Sequence, residues 1–430
     1  MASPRAVLVT PIAPARAGNG LAMRMGLFLE ALCRISEVDV ILVPAAGDAI
    51  SPEASRFLQE LGVRLHRISI AGASDTHFSL LTRIPDSRAR LEAFRAYGKP
   101  SLASPLSAPV LASIEKVIRS CAPRIAHVGR SYLAASVAAL PAGVVATLDL
   151  DEDDLTSFAS QALLARKKGN AIAADWLEQE GLACDAMISR FGARFQRMFV
   201  ASSREAWLLA KRHAAFQFER MENAVEIPPR IVRRDDGATL LFVGSLGYKP
   251  NAEGVLWFAE EVLPRLRAMR GGAVRLLIAG AQPPATVSAL ARHPCVFVLG
   301  RVPDVLPHYQ HATLALAPLR AGGGTRIKLL EAAAHRVASV YTPAAAEGIG
   351  WPKGAGGWSG SSAREFAAAC HEGLSQAAER DRRAKLAREW LLRHHARSRL
   401  VTRISRAFLS LLDEGSGKEN SPSQSTGAPP

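Results

Sequence analysis

The chain has 430 residues, 48% hydrophobic and 21% charged, which excludes a disordered or low-complexity protein and allows two or three domains with cores of their own. A formal net charge of +14 points to anionic partners: phosphorylated substrates, nucleic acid or an anionic lipid surface. The five cysteines, Cys33, Cys121, Cys184, Cys295 and Cys370, are scattered without a C-x-x-C pair, so they read as small core residues in a reducing compartment rather than staples or zinc ligands. No signal peptide fits before the first strand and no apolar run is long enough to span a bilayer, so a cytoplasmic protein is expected.

The first strand is read over residues 6–10. A loop with Pro11, Pro14, Gly18, Asn19 and Gly20 follows, then helical spacing of Leu21, Met25, Phe28, Leu29 and Leu32. Strands at residues 38–43 and 63–70 continue the alternation, which argues for an open parallel sheet with helices on both faces. Ligands bind such sheets at the carboxyl ends of the strands, so Gly18, Asn19, Gly20 and the nearby Arg24 are candidates for one edge of a site. Residues 71–109 are loop-like with a helical patch near 88–97. A strand at residues 124–128 runs into Gly129 and Arg130, which makes His127, Arg130 and Tyr132 acceptor-side cleft candidates. The strand at 144–148 leads into the acid run Asp149, Asp151, Glu152, Asp153 and Asp154. Such a run could hold a metal or open a helix; acids favour the first helical turn, and no histidine or second acidic cluster stands near, so no metal site is assigned. Long helices follow to about residue 195, then a strand at 197–202 and a short one at 222–226. The charged, unpatterned residues 230–237 mark a domain boundary, giving domains of 1–229 and 230–412.

The second domain alternates in the same way, with strands at residues 240–243, 274–279, 296–299, 313–317 and 338–341. Turns at Gly244 and Ser245, at the glycine run and at Glu347 converge on one sheet edge. The most informative stretch is residues 318–335, PLRAGGGTRIKLLEAAAH. Gly322, Gly323 and Gly324 let the backbone approach an anion, Thr325 is a candidate N-cap, and the N–H groups of the helix start point outward. Arg326 and Lys328 add two cations, and Glu331 can accept hydrogen bonds from a ribose. The pattern is neither a Walker loop nor a dinucleotide fingerprint. From residue 364 to 408 two helices are read, the last strongly basic with interleaved apolar residues, either a packed helix with a solvated basic face or a helix lying on an anionic membrane. Residues 413–430 read as a disordered tail.

Together these pieces resemble the GT-B glycosyltransferases, and more closely the retaining, group-1-type transferases of family 4, in the GGGTR-type subgroup of bacterial polysaccharide and glycoconjugate assembly. The segments that carry the resemblance are Gly18-Asn19-Gly20 with Arg24, Asp149-Leu150-Asp151, residues 199–203, Asn223-Ala224-Val225, residues 241–246, the run 318–331 and residues 346–349. It implies two Rossmann-like doubly wound domains facing a cleft. It implies a hexosyltransferase-type enzyme that takes a nucleotide diphosphate sugar as donor and a glycan or lipid-linked acceptor, with no cofactor and no obligatory metal. By the family pattern the donor-binding residues are Gly18, Asn19, Gly20, Arg24, Gly244, Ser245, Gly323, Gly324, Thr325, Glu331 and Glu347, with Arg326 and Lys328 acting on the leaving group. The expected setting is the cytoplasm, at the inner face of the membrane if the basic last helix lies on anionic lipid, and no nucleic acid is expected.

The sequence also departs from the family. Relatives often carry a second glutamate eight positions before Glu331, which lands here on Gly323. A common arginine is Ser245, and the usual Gly-x-Pro turn is Arg336, Val337 and Ala338. These departures keep a second reading open: a catalytically degenerate GT-B protein serving as a nucleotide-binding or scaffold partner. An epimerase on the same architecture would act on the nucleotide sugar without an acceptor.

Overall fold

The computed structural model describes residues 4–47, 50–72, 75–323 and 327–419. Two parallel sheets form two domains. The first has seven strands: β1 (Arg5–Thr10), β2 (Glu37–Leu42), β3 (Arg64–Arg67), β4 (Ile125–Gly129), β5 (Val145–Asp151), β6 (Arg197–Val200) and β7 (Phe218–Arg220), in the order β3-β2-β1-β4-β5-β6-β7. The second has six: β8 (Thr239–Val243), β9 (Arg275–Ala279), β10 (Val296–Gly300), β11 (Leu314–Ala317), β12 (Ser339–Tyr341) and β13 (Gly357–Ser359), in the order β10-β9-β8-β11-β12-β13. Central strands such as β1 and β11 are buried along almost their whole length, as expected where helices cover both faces of a parallel sheet. Strand order reverses between β1 and β4 and between β8 and β11, and a crevice opens beyond the carboxyl ends of the strands at each such point.

The chain crosses between the domains twice. It leaves the first after β7 and returns at the end of helix Ala377–His394. The crossings touch: Val225 bridges Ala396, and His395 Nδ1–H donates to the Asn223 carbonyl at 2.6 Å. The C-terminal region forms three helices rather than two: Ala363–Ser375, Ala377–His394 and Arg397–Glu419. The first starts with a capping box between Ser362 and Glu365 and packs on the second sheet. The third runs to Glu419, into the stretch read as a tail; residues 420–430 lie outside the described residues. Its apolar stripe, Leu400, Ile404, Phe408 and Leu411, is buried in the first domain with Met25 and Phe28, so that stripe is engaged in packing rather than open to lipid. Several of the basic residues are likewise engaged by protein: Arg388 donates to the Ala334 and Pro228 carbonyls, Arg397 pairs with Glu30 at 2.7 Å and Arg403 with Glu222 at 2.6 Å. No helix among the described residues is long and apolar enough to cross a membrane. All five cysteines are unpaired.

One buried ion pair ties these parts together. Arg24, on helix Gly20–Cys33, donates to both oxygens of Asp149 at 2.7 and 2.6 Å at the end of β5. Its remaining nitrogen donates to the Met221 carbonyl at 2.9 Å and to Asn223 Oδ1 at 3.0 Å in the linker. Burial pushes the Asp149 carboxyl above its ordinary value, against the pull of Arg24. Removing one partner therefore strands a buried charge. Arg24→Ala should cost about 3–5 kcal/mol in urea unfolding, and adding Asp149→Asn should recover part of that loss because no buried charge is left unpaired. Simple additivity of the two losses would contradict this.

Candidate active site

The second-domain wall is built at the switch point between β8 and β11. After β8 the chain turns at Gly244, where a side-chain carbon would sit 2.9 Å from Asn251 Nδ2 and 3.4 Å from Lys328 Cε, so a side chain here is excluded by close approach. Asn251 knits the turn to the opposite loop. Its Nδ2 donates to the Ser245 carbonyl at 2.7 Å and its Oδ1 accepts from Lys328 Nζ at 2.9 Å. Lys328 also lies 5.3 Å from the centre of the Phe242 ring, so its ammonium is directed toward the end of β8. One turn further along helix Ile327–Ala334, Glu331 sits in the floor of the cleft, with the Tyr309 hydroxyl 3.5 Å from Oε2. Tyr309 is buried and stacks on His335, ring centres 4.6 Å apart. Glu331 keeps some exposed surface, yet the surrounding protein desolvates it and its carboxyl is pushed up to about 7, with Lys328 and Tyr309 pulling the other way. Gly324, Thr325 and Arg326 lie outside the described residues.

The first-domain wall meets this one directly. Asn19 caps helix Gly20–Cys33, its Oδ1 accepting from Leu21 N–H at 2.8 Å. A side-chain carbon on Gly20 would lie 3.0 Å from Ile327 Cδ1, so the loop at 18–20 abuts the start of the glutamate-bearing helix. Gly322 N–H donates to Ser160 Oγ at 2.8 Å on helix Asp154–Lys167. A side-chain carbon on Gly323 would come within 2.5 Å of Glu152 Oε2. Arg204 pairs with Glu347 across the cleft. The pocket between the walls is lined by Ser157, Ser202, Arg204, Gly322, Gly323 and Glu347, among others. Gly18, Gly20, Gly244, Ser245, Gly323, Lys328, Glu331 and Glu347 are thus gathered along the two facing edges.

Four expected cleft residues are not there. Arg24 is fully buried and spent on Asp149 and the linker, beneath the cleft rather than in it. His127 has no exposed surface; it stacks on Phe28 at 4.2 Å and bonds Thr147 Oγ1 at 2.8 Å, and burial with the nearby Arg24 charge lowers it to about 3. Tyr132 is buried in the first-domain core. Arg130 is buried too, pairing with Asp154 at 2.5 Å and Glu152 at 3.4 Å and donating to the Leu150 carbonyl. The position at a strand end was read correctly; the inward side-chain direction was not legible from spacing.

The acid run is consumed by these partners. Asp149 takes Arg24, Asp154 takes Arg130 and Ser131, and Asp153 takes Arg212 at 2.6 Å. Elsewhere, Asp39, His66 and Cys121 bring metal-ligand atoms within 4.8 Å of one another, toward the amino ends of the strands and away from the cleft. Asp39 already pairs there with Arg5 and Arg64 at 2.9 Å, and those cations hold its carboxyl well below the usual range despite burial. Asn251, Tyr309 and Ser160 make contacts in the cleft walls that the sequence did not single out, and Glu152 was weighed there only as part of the acid run. Asn251 alone left a signal, a polar residue just after a proline at a helix start.

A sucrose-phosphate synthase from Thermosynechococcus elongatus superposes with a TM-score of 0.66 at 14% identity, covering 96% of this chain and 100% of that one. The Anabaena protein HepE, solved in complex with UDP and glucose, gives 0.62 at 10% identity, covering 95% and 100%. An α,α-trehalose 6-phosphate synthase from Burkholderia multivorans gives 0.60 at 12% identity over 100% of both chains. The chain has the GT-B fold. Residues 237–376, most of the second domain, match the family described as glycosyl transferases group 1. No curated protein matches the sequence.

The raised Glu331 value has a consequence for stability. Its folded value exceeds its unfolded one, so its contribution is fully present below about pH 4.5 and is lost as pH rises through about 7. Glu331→Gln should match the wild type near pH 5 and exceed it at pH 8, by up to about 3 kcal/mol in urea unfolding. Equal stability of the two at both pH values would contradict a desolvated carboxyl.

Proposed function

We propose that the cleft binds a nucleotide diphosphate sugar and transfers its sugar, with retained anomeric configuration and without a divalent ion, to a glycan or lipid-linked acceptor. The setting is the cytoplasmic side of bacterial polysaccharide or glycoconjugate assembly, in the manner of the GGGTR-type family 4 enzymes. The observation that carries this reading is the juxtaposition at the second switch point: a glycine loop, the Lys328 ammonium and the Glu331 carboxylate on one helix start, facing the Gly18–Gly20 loop of the other domain. HepE, on the same fold, is solved with UDP and glucose.

In this reading Glu331 accepts the ribose hydroxyls, and the loop at Gly323, Gly324 and Thr325 takes the diphosphate. As the bond from the sugar carbon to the diphosphate oxygen breaks, the acceptor oxygen bonds that carbon on the same face, its proton passes to the departing phosphate oxygen, and the diphosphate leaves with the electron pair. Arg326 and Lys328 answer that growing charge, the work a metal does in other transferases. A desolvated floor strengthens each of these interactions. The second reading, a degenerate nucleotide-binding scaffold, is favoured by one observation: the Gly322 N–H is engaged by Ser160 rather than open to an anion.

Calorimetry with UDP-glucose, GDP-mannose, ADP-glucose and dTDP-glucose, each with and without EDTA, separates them. We expect one donor to bind selectively and independently of EDTA. Glu331→Gln should weaken that binding by roughly tenfold or more while the fold gains stability at pH 8, the opposite signs expected of a strained binding group. Affinity unchanged by that substitution would remove the ribose role.

A further inference from the structure

The acceptor of the proposed reaction, on which this inference rests, must reach the cleft from outside, and one helix leads there. Helix Ser203–Arg212 follows β6 and starts at the cleft itself. Ser202 caps it, its Oγ accepting from the Glu205 N–H at 3.2 Å, and a side-chain carbon on Gly348 of the second domain would lie 3.1 Å from Ser202 Cβ. The inner face of the helix is spent on folding: Leu209 is fully buried in the first-domain core and Ala206 packs against that core. The outer face carries Arg204, Leu208 and Lys211 at i, i+4 and i+7, with Trp207 beside them at i+3. Arg204 and Leu208 line the pocket between the domains. Trp207 is 61% exposed, more than any other large apolar side chain among the described residues. Lys211 Nζ lies over its ring, 5.4 Å from the centre, and steadies it.

We propose that Trp207 is a stacking platform for the acceptor's glycan chain, holding the sugar next to the one that enters the cleft, with Arg204 and Lys211 donating to its hydroxyls. An indole presents a flat apolar face to the C–H groups of a sugar ring, and the two cations beside it supply the hydrogen-bond donors that the ring edge needs. Helical side chains tilt toward the start of their helix, so the indole tilts toward Arg204 and the pocket. Trp207 stands about 4.5 Å further along the helix axis than Arg204, close to the step of one sugar in a chain. Arg204 is available to a ligand because its pair with Glu347 is half-exposed, 57% and 51%, and such pairs are weak. A lipid surface matches this face less well: a helix lying on a membrane carries an apolar stripe along its length, and here one exposed ring stands between two cations. The platform makes the acceptor a glycan of at least two sugars, and it lies on the first domain, apart from the nucleotide.

The test uses the whole chain and a delipidated, cell-derived polysaccharide fraction cast into native gels. The wild type should be retarded, Trp207→Ala should need roughly tenfold more polysaccharide for the same retardation, and Trp207→Phe should keep most of it because a ring remains. All three carry the same charge, so a difference reports the ring and not the basic surface. With the selected sugar nucleotide as donor, Trp207→Ala should raise the KM for the same fraction by roughly tenfold, while kcat and donor affinity stay within about twofold of wild type. Equal mobility of wild type and Trp207→Ala would overturn the proposal. So would loss of donor affinity in step with glycan binding, which would mark a structural role, and so would Trp207-dependent binding to phosphatidylglycerol vesicles in place of glycan, which would make the ring a membrane anchor. Ring-dependent retardation of a protein that binds no sugar nucleotide would uphold the platform and remove the transferase reading beneath it.

Discussion

A guanidinium taken wholly out of water must find anions and carbonyls for every donor it carries, and Arg24 finds them in two separate parts of the chain. Its partners are the end of β5 and the linker that leaves the first domain; its own helix begins at the Gly18–Gly20 loop. Desolvating such a pair is expensive, and the return is geometric specificity rather than net stability. The turn that follows Asp149 carries Glu152 to the opposite wall, against Gly323. With Asn223 fixed, the crossing to the second domain starts from one defined point. The cleft is therefore set by a pair that does not line it.

The second constraint is the doubled crossing. Two segments joined at Val225 and Ala396, and by His395 on Asn223, let the domains share a hinge while their sheets stay separate. The last helix then returns to the first domain and buries Phe408 among Phe28, Phe199 and His127. A helix that closes the first domain from the far end of the chain makes that domain complete only when the second has been made. Across the cleft the walls meet through Gly322 on Ser160, Glu347 on Arg204 and Lys168 on Glu253, polar contacts that a ligand can replace at little cost.

Most strands, the switch-point loops and the glycine run were legible in the sequence, because continuous apolar runs ended by glycine or proline report a parallel sheet whatever the tertiary context; the short strand expected at 222–226 lies instead at Phe218–Arg220, and the three-residue edge strand Gly357–Ser359 left no apolar run to read. The place of Glu331 and Lys328 on a helix that follows the glycines was legible for the same reason. Side-chain direction at strand ends was not. His127, Arg130 and Tyr132 stand at a carboxyl edge, yet their side chains turn into the core, and Arg24 passes beneath the site it was expected to line. Contacts across the cleft were invisible in principle: Glu152 and Gly323 are far apart in sequence, and neither carries a local signal of the other. The turn after helix Ile327–Ala334 shows a milder case. Arg336 takes the left-handed conformation, φ 56, that glycine would provide, and the turn keeps its shape with a residue that spacing alone would not place there.

On the proposed function, sugar leaves a nucleotide in this cleft with no metal present. Phosphorus NMR on the purified protein with a mixture of UDP-, GDP-, ADP- and dTDP-sugars in excess EDTA, with a cell-derived glycan and lipid fraction as acceptor, tests it directly. The paired diphosphate resonances of one sugar nucleotide should decay into those of its free nucleoside diphosphate while the others persist. Four unchanged donors in EDTA, with turnover appearing only on adding a divalent ion or not at all, would contradict it.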